Sequence, residues 1–485
     1  MPKLRRILID CSFVDFARQP TGIPRVVLKY IEIGYAWGER HGIEVVPVVP
    51  TDDGLYIYRP VPGRGAPLSL LTAAHAPALP MAPASGTEAA AVAELKAVTE
   101  DLRNVLSGLL AVMGSLGTPT PATGGGETPK IAPGASSSPD PDAVPEGLLT
   151  RTTRLECGPG DLMFCPAYWH DVDPVLYRGY SAAGAKLVIL VHDILPITFA
   201  RFYNAPWCYD FKRNVTAAFG FADAFCTVSD YTRHGLAEFG LRERLRDVPM
   251  MTTYNGFEHL VSDRALDRLA GPRQLPDSPA MDVVQGLERY YVMVGSIEPK
   301  KGHRPVIQCF EEMWHAGLGS DLVIIGRKGW LEDDAVRAIE GSPFYQSKLF
   351  WFSGLDDFEL GRIYAGARAL VFSSAGEGFG IPMIEAATYG TPVVAYDTPI
   401  VQEILGGAAR TFADAPGFIE RIVEMEQDGP FAAASAAGRA VAWPSWEDYT
   451  PRVFDALRAF IENEAPLPER LSRSQSIPAM PGRAA

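Results

Sequence analysis

Eight short runs of apolar residues recur along the chain, and the stretches between them are typical of helices. The runs lie at 6–9, 45–49, 186–191, 225–228, 291–294, 322–325, 369–372 and 392–395. Apolar runs that are continuous rather than alternating are typical of strands covered on both faces. Alternation of such strands with helices predicts parallel, doubly wound α/β sheets. There are too many strands for one open sheet, so we expect two domains of this kind.

The division between these domains is expected in a polar, proline-rich stretch at 263–288. We therefore predict an N-terminal domain over 1–275 and a C-terminal domain over 285–440. The polar and basic tail at 466–485 is predicted to be disordered.

The N-terminal domain carries an unusual insertion at about 84–150. Its second part, 116–146, is rich in Gly, Pro, Ser and Thr and buries too little apolar surface to fold, so we expect disorder there. Its first part, 87–114, reads as a helix with apolar residues at alternating spacings of three and four. That stripe has two interpretations, packing on its own domain or association with a second copy or a partner.

Composition excludes several classes of protein. The formal net charge is −14, which provides no overall electrostatic attraction for nucleic acid. No apolar run approaches the roughly 18 residues that cross a bilayer, and the N-terminus has no signal-peptide pattern. The six cysteines are scattered without a Cys-x-x-Cys pair, so we expect reduced cysteines in a cytoplasmic protein.

The segment 373–387 is the most informative for chemistry. It follows the predicted strand 369–372 and contains Gly376-Glu377-Gly378-Phe379-Gly380-Ile381-Pro382. Pro382 suits the first position of a helix, so the glycine loop is expected to present free backbone N–H groups at a helix N-terminus, where a phosphate binds favourably. Glu377 and Glu385 flank this turn, and both could face one ligand and accept hydrogen bonds from sugar or ribose hydroxyls.

Positive charge is supplied by a second loop, Gly295-Ser296-Ile297-Glu298-Pro299-Lys300-Lys301-Gly302-His303. This loop follows the predicted strand 291–294. Ligands of α/β sheets collect at the carboxyl ends of strands, so we expect the two loops to converge.

Together these segments resemble the retaining glycosyltransferases of family 4, which have the GT-B fold of two Rossmann-like domains facing a cleft. The likeness is strongest to bacterial mannosyltransferase-like enzymes that build surface polysaccharides, and it spans nearly the whole chain outside about 60–150 and the tail. The matching motifs are Glu-x7-Glu at Glu377 and Glu385, Gly-Thr-Pro-Val-Val-Ala at 390–395, Val-Gly-Ser-Ile-Glu-Pro-Lys-Lys-Gly-His at 294–303, Ile-Ile-Gly-Arg-Lys-Gly-Trp at 324–330, Gly354 with 356–360, Thr-Gly-Ile-Pro-Arg-Val at 21–26, Val-His-Asp-Ile-Leu-Pro at 191–196, Val-Ser-Asp-Tyr-Thr at 228–232 and Tyr-Asn-Gly-Phe-Glu at 254–258.

The resemblance implies an enzyme that moves a hexose, by its nearest likeness mannose, from a nucleotide-diphosphate sugar to a glycan or lipid-linked acceptor. The C-terminal domain would bind the nucleotide, the N-terminal domain the acceptor, and the last helices, 441–465, would cross back to the N-terminal domain. Fixed cations and helix N-termini would stabilise the leaving diphosphate, so no metal or other cofactor is expected. A lipid-linked acceptor would bring peripheral contact with a membrane.

The resemblance also implies roles for catalytic residues. Lys301 would neutralise the diphosphate, Glu377 would contact sugar hydroxyls, and His192 would reach the donor sugar from the N-terminal domain. Gly22 would lie in a glycine loop near the donor phosphates and the acceptor. Arg25 has two interpretations, an acceptor phosphate ligand or a structural salt bridge.

The remaining implied residues form the donor site. Glu385 would bind the ribose, and the backbone of Gly378, Phe379, Gly380 and Ile381 would hold phosphate and sugar. Ser296 stands where some relatives have an arginine, and Lys300 or Arg327 are the candidates to replace its charge.

Several alternatives stay open. His170, with Trp169 and Tyr168, could line an acceptor groove or pack in the core. Asp171 and Asp173 form an Asp-x-Asp pattern, but no apolar strand precedes it as a metal-dependent transferase requires. An epimerase or hydrolase on the same fold, or a non-catalytic assembly protein that uses helix 87–114, would share most of these features.

Overall fold

The protein is described by a computed structural model over residues 3–14, 22–58, 154–257, 278–317, 319–331 and 333–472. The insertion, including the predicted helix 87–114 and the predicted disorder at 116–146, lies outside these residues. In the described part, two separate sheets are present. The prediction of two α/β domains is confirmed.

The first sheet has eight strands within the described ranges, in the order β4-β3-β2-β1-β5-β6-β7-β8. Six of them are parallel, whereas β3 and β4 are antiparallel additions at one edge. The strands are β1 Arg6–Asp10, β2 Glu44–Thr51, β3 Gly54–Ile57, β4 Arg154–Leu155, β5 Asp161–Cys165, β6 Lys186–Val191, β7 Ala224–Thr227 and β8 Met250–Thr252.

The second sheet has six described strands, all parallel, in the order β11-β10-β9-β12-β13-β14. Numbered from its own first strand, this is the 3-2-1-4-5-6 order of a dinucleotide-binding sheet, whose direction of winding reverses between β9 and β12. The strands are β9 Tyr290–Val294, β10 Asp321–Ile325, β11 Leu349–Phe352, β12 Ala369–Phe372, β13 Val393–Tyr396 and β14 Arg410–Phe412.

Helices cover the faces of both sheets. Those associated with the first sheet are α1 Ile23–His41, α2 Pro174–Ala182, α3 Leu195–Thr198, α4 Ala205–Phe221 and α5 Asp230–Arg242. Those that follow are α6 Pro279–Gln285, α7 His303–His315, α8 Asp333–Glu340, α9 Asp357–Gly366, α10 Ile381–Thr388, α11 Pro399–Ile404, α12 Ala415–Met425, α13 Asp428–Arg439 and α14 Trp446–Ile461. Short 3₁₀ turns lie at Trp169–Asp171, Ala200–Phe202, Pro299–Lys301 and Gly406–Ala408.

All eight predicted strands are present. The structure also contains strands that the sequence pattern did not predict. β5 is buried along its whole length, yet it begins with a charged residue. Asp161 is buried there because Arg6 of β1 pairs with it at 2.6 Å. The other four residues, 162–165, form an apolar run like those of the predicted strands, so the omission of β5 from the prediction was an error.

The chain after the second sheet returns to the first domain. Helix α14 packs along α1, where Phe454 contacts Tyr30 and Trp37 with ring centroids 5.9 and 5.3 Å apart. The prediction of disorder from residue 466 is wrong for the first part of the tail. The Glu469 carbonyl accepts from the Thr252 amide at 2.9 Å, because the exposed edge of β8 offers backbone groups to pair with.

The expected linker at 263–288 also differs at its end. Residues 258–277 lie outside the described part, but α6 (Pro279–Gln285) occupies the rest. Ser278 caps this helix by accepting from the Met281 amide, and a proline opens its first turn. Local helix signals therefore override the polar character of the stretch.

Candidate active site

The glycine loop between β12 and α10 has the geometry of an anion site. Gly380 adopts a left-handed conformation with φ of 88°, and the helix starts at Ile381. Pro382 is thus the second helical residue, one place later than predicted, where its missing N–H still costs nothing. In this first turn the Met383 amide donates to the Gly380 carbonyl at 3.0 Å, so an anion at this helix N-terminus would use the amides that precede Met383.

The loop after β9 lies directly beside this glycine loop. The Lys300 carbonyl accepts from the Ala375 amide at 2.8 Å, and the Ser373 hydroxyl donates to the Lys301 carbonyl at 2.6 Å. A Cβ at Gly302 would lie 2.9 Å from the Ser373 carbonyl oxygen, so only glycine allows this approach. The predicted convergence of the two loops is present at the point where the sheet reverses its winding.

Two lysines converge on Glu377. Lys301 Nζ donates to Oε1 at 2.5 Å, and Lys300 Nζ lies 3.7 Å from Oε2. Burial acts to raise the pKa of Glu377, but the charges of Lys300 and Lys301 outweigh it and lower the pKa to about 2. The carboxylate is therefore ionised, and it pairs with both lysines.

Lys300 is the more buried of the two cations. Its side chain is 9% exposed, and Glu298 Oε2 lies 3.8 Å from its Nζ. Burial acts to lower the pKa of Lys300, but Glu377 and Asp193 raise it above its ordinary value, so the ammonium stays charged. Ser296 contributes no charge here, and its hydroxyl hydrogen-bonds Glu298.

Glu385 faces the N-terminal domain. Arg25 Nη1 donates to Oε1 at 3.1 Å, and the Tyr364 hydroxyl donates to Oε2 at 3.0 Å. Arg25 also pairs with Asp357 at 2.6 Å. Burial raises the pKa of Glu385, although Arg25 opposes the shift. Of the two interpretations of Arg25, this geometry favours the salt bridge, and it joins the two domains.

His192 lies at the end of β6, against the glycine loop. Its Nε2 donates to the Pro166 carbonyl at 2.7 Å, and burial lowers the pKa of the ring. A Cβ at Gly378 would lie 1.8 Å from the His192 carbonyl oxygen. The Ser229 hydroxyl donates to the Gly378 carbonyl at 2.6 Å, so the glycine loop is held against the N-terminal domain.

Other predicted residues take different positions. Gly22 immediately precedes α1 with φ of 60°, and residues 15–21 before it lie outside the described residues. Phe379 packs its side chain on Trp443, which leaves its backbone to the loop. Asp173 caps α2 and Asp171 pairs with His170 at 3.0 Å.

Sequence reasoning missed several residues that shape the site. Tyr364 and Asp357 reach Glu385 and Arg25 from α9, and Ser229 reaches the glycine loop. The Ser229 motif was noticed without a role. Asp357 likewise lies in a motif, 356–360, that was noticed without a role, whereas Tyr364 had no signal because its partner is distant in sequence.

The described residues contain neither a cluster of metal ligands nor a helix able to span a membrane. No three or more His, Cys, Asp or Glu side chains of this part of the chain are grouped as a metal ion requires. No helix within the same ranges has the length and apolar character to span a bilayer.

The match to a known protein family falls in the second domain. Residues 283–433, which contain every strand of the second sheet, match the family described as Glycosyl transferases group 1. The serotype-specific mannosyltransferase WbdA of Escherichia coli is 34% identical over 247 residues, which are 50% of this chain and 30% of that protein. The chain thus spans under a third of that relative's length.

Two further comparisons cover more of the matched protein. The O-antigen chain mannosyltransferase B of Escherichia coli is 25% identical over 284 residues, 56% of this chain and 70% of that one. Anabaena HepE, solved with UDP and glucose, superposes with a TM-score of 0.53 at 14% identity, over 94% of this chain and 99% of HepE. The chain therefore has the GT-B fold, and its residues 283–433 are similar to the glycosyl transferases group 1 domain.

Proposed function

We propose that the protein is a retaining glycosyltransferase of the family 4 type, acting in surface polysaccharide synthesis. It moves mannose from a nucleotide-diphosphate sugar to a glycan or lipid-linked acceptor. One observation carries the proposal: two lysines and the N-terminus of α10 converge at the winding reversal of the second sheet. That place is where α/β sheets bind nucleotides.

The diphosphate takes the place that Glu377 occupies beside the lysines. Lys301, Lys300 and the backbone N–H groups of 378–381 neutralise the charge that develops as the nucleoside diphosphate leaves. Glu377, released from Lys301, turns to the sugar hydroxyls. Because these groups are fixed before the reaction, the proposed transfer requires no metal.

Glu385 binds the ribose and keeps its present partners. An ionised carboxylate has about four acceptor positions, and Arg25 and Tyr364 use two of them. The remaining two match the adjacent hydroxyls of a ribose. In this proposal Arg25 positions the carboxylate.

His192 acts on the donor sugar as a neutral ring. Its Nε2–H is used by the Pro166 carbonyl, so Nδ1 of the neutral imidazole is an acceptor. The lowered pKa of His192 favours that neutral form at pH 7. We assign Nδ1 to a hydroxyl of the donor sugar.

Mannose as the sugar is supported by the names of the matched Escherichia coli proteins. We place the protein in the cytoplasm, because all six cysteines are free and four are buried. If the acceptor is lipid-linked, the protein contacts the membrane surface at its periphery.

The first test is acceptor-free hydrolysis of a panel of nucleotide sugars, compared between the natural protein and Glu385→Ala. We expect release of one nucleoside diphosphate, from GDP-mannose if mannose is right, and its loss in the variant. Glu420→Ala is the matched control, because its side chain is 69% exposed on α12, away from Glu385. No release and no ligand-induced rise in melting temperature would favour a non-catalytic assembly protein.

Retention and transfer need a second measurement. With a mannose oligosaccharide present, NMR of the product reports the configuration of the new bond. An α-linked product from an α-linked donor is expected. Formation of free sugar alone, or of an epimerised nucleotide sugar, would instead support a hydrolase or an epimerase.

A further inference from the structure

Two aromatic rings, one from each domain, stack across the cleft. Tyr203 follows the 3₁₀ turn Ala200–Phe202 of the first domain, and Trp330 lies in the loop after β10 of the second. Their ring centroids are 5.4 Å apart with an interplanar angle of 23°. The indole Nε1–H donates to the Phe202 carbonyl at 3.2 Å, which fixes the plane of the Trp330 ring.

This stack adjoins the proposed donor site. Lys300 Nζ lies 5.8 Å from the centroid of the Trp330 ring, and the same ammonium is 3.7 Å from Glu377. A Cβ at Gly376 would lie 3.0 Å from the Phe199 ring, which packs the glycine loop onto the turn that carries Tyr203. A molecule on Trp330 would therefore sit close to the reacting sugar.

More rings continue from Tyr203 over the first domain. Trp207 contacts Tyr203 at 5.3 Å between centroids, and His170 follows Trp207 at 6.3 Å. Tyr168 follows His170 at 6.2 Å. We call these five residues, Trp330, Tyr203, Trp207, His170 and Tyr168, the aromatic track.

The track differs from a hydrophobic core in its exposure. Trp330 is 38% exposed although it is stacked and hydrogen-bonded, and Trp207, His170 and Tyr168 are half-buried, whereas Tyr203, which connects Trp330 to Trp207, is buried. Four neighbouring large rings left partly exposed around one buried ring indicate a surface that receives a ligand. Polar groups border the row, among them Asp171, whose carboxylate pairs with His170 at 3.0 Å.

We propose that the aromatic track binds a chain of neutral sugar residues, the acceptor glycan, with its growing end on Trp330; this rests on the proposed function. The C–H faces of pyranose rings pack on aromatic faces, while their hydroxyls need bordering polar groups. The track begins beside Lys300 and Glu377 and runs away from the donor. Such a course delivers one end of a glycan to the reaction and supports the rest.

The test measures how tightly the full-length protein binds α-linked mannose oligosaccharides of one to five residues. Binding is followed by tryptophan fluorescence and calorimetry, with the nucleoside diphosphate present. Trp330→Ala should weaken pentasaccharide binding about tenfold, the loss expected for one stacked ring. Trp330→Phe keeps an aromatic ring and should restore most of the affinity that Trp330→Ala loses. Trp207→Ala should weaken only the longer oligosaccharides, because Trp207 lies further along the track.

Phe431→Ala is the matched control. Phe431 is half-buried under Arg368. Arg368 immediately precedes β12, at the opposite end of that strand from the glycine loop. This variant should bind all lengths as the natural protein does. Melting curves of every variant separate lost binding from lost folding.

The outcomes separate this inference from the proposed function. Donor hydrolysis by the natural protein without binding of any oligosaccharide, or binding unaffected in both tryptophan variants, would overturn the track and leave the transferase proposal standing. Length-dependent binding that needs Trp330, without turnover of any nucleotide sugar, would support the track as a glycan site and count against the transferase.

Discussion

At the scale of single residues, the charged side chains of the site pair with one another. Glu377 pairs with Lys301 and Lys300, and Glu385 pairs with Arg25. Isolated buried charges would be costly, so each cation is held by a carboxylate. A diphosphate can compete for the lysines because it brings more negative charge than one carboxylate.

Lys301→Ala should lower the rate of acceptor-free nucleoside diphosphate release by about 100- to 1000-fold, the usual loss for one group that stabilises a developing anion. Removal of Lys301 also leaves Glu377 to repel the diphosphate. Lys301→Arg keeps the charge with a different shape and should recover part of the rate. The measurement is the initial rate at saturating donor.

The control for this experiment is Lys348→Met. Lys348 immediately precedes β11, at the amino end of the sheet, and its side chain is 41% exposed. Its loss should leave the rate unchanged. If Lys301→Ala released nucleotide as fast as the control, Lys301 would have no part in the transfer.

His303 makes stability depend on pH. Burial and the nearby Lys301 charge lower its pKa to about 4, whereas the unfolded ring titrates near its ordinary 6.5. Since the unfolded chain binds the proton first, stability is complete above about pH 6.5 and falls as pH drops toward 4. Between pH 7 and 5 this histidine accounts for about 2 kcal/mol of lost unfolding free energy.

Urea denaturation of the natural protein and His303→Gln at pH 7 and pH 5 measures this effect. The variant should lose about 2 kcal/mol less than the natural protein between the two pH values. His315→Gln is the control, because His315 lies at the exposed end of α7. Equal losses in all three proteins would show that His303 titrates normally when folded.

At the scale of elements, the first and last helices stabilise each other. The α1 sequence is apolar on one face, and α14 covers that face with Phe454, which is fully buried. Trp37 of α1 also donates to Asp455 at 2.9 Å. The N-terminal domain therefore depends on α14, a helix that follows the second sheet in sequence.

Phe454→Ala should lower the unfolding free energy by about 3–5 kcal/mol, because it removes a large ring from among Tyr30, Trp37 and Phe164. Denaturation monitored by circular dichroism gives the value. Phe460→Ala, on the same helix but half-buried, should cost clearly less. Equal costs would mean that α14 does not pack on α1 through Phe454.

At the scale of the whole molecule, polar contacts join the two domains at several points. Besides Arg25 with Glu385, the Glu403 carboxylate of α11 accepts from the Asp230 and Tyr231 amides at 2.6 and 2.8 Å. These amides are the first of α5, whose N-terminus favours a negative charge. One domain thus caps a helix of the other.

Glu403→Ala should weaken the junction by about 1.5–3 kcal/mol, the usual range for hydrogen bonds to a charged group. Calorimetry should then resolve two unfolding transitions in place of one, as the domains lose their coupling. Glu403→Gln keeps an acceptor oxygen but not the charge. The strength of the junction in this variant should therefore lie between that of the natural protein and that of Glu403→Ala. Glu424→Ala, which removes a carboxylate within the second domain, should keep the single transition.

Much of the fold and of the candidate site could be predicted from the sequence alone. Apolar runs specify strands locally, and Gly380 with Pro382 marks a loop that leads into a helix. The parallel sheet rule then brings the loops after β9 and β12 together, so their convergence was expected, whereas the direct pairing of Lys301 with Glu377 was not.

Other features depend on contacts between residues that are far apart in sequence, and only the tertiary structure decided them. Arg25 had two equal interpretations until α1 was placed against α10, and nothing local linked Tyr203 to Trp330. The burial of Asp161 in β5 likewise depends on Arg6, which lies on another strand. Short-range patterns determine which elements form, whereas the packing of whole sheets determines which loops meet, and one sequence does not encode that packing in any local signal.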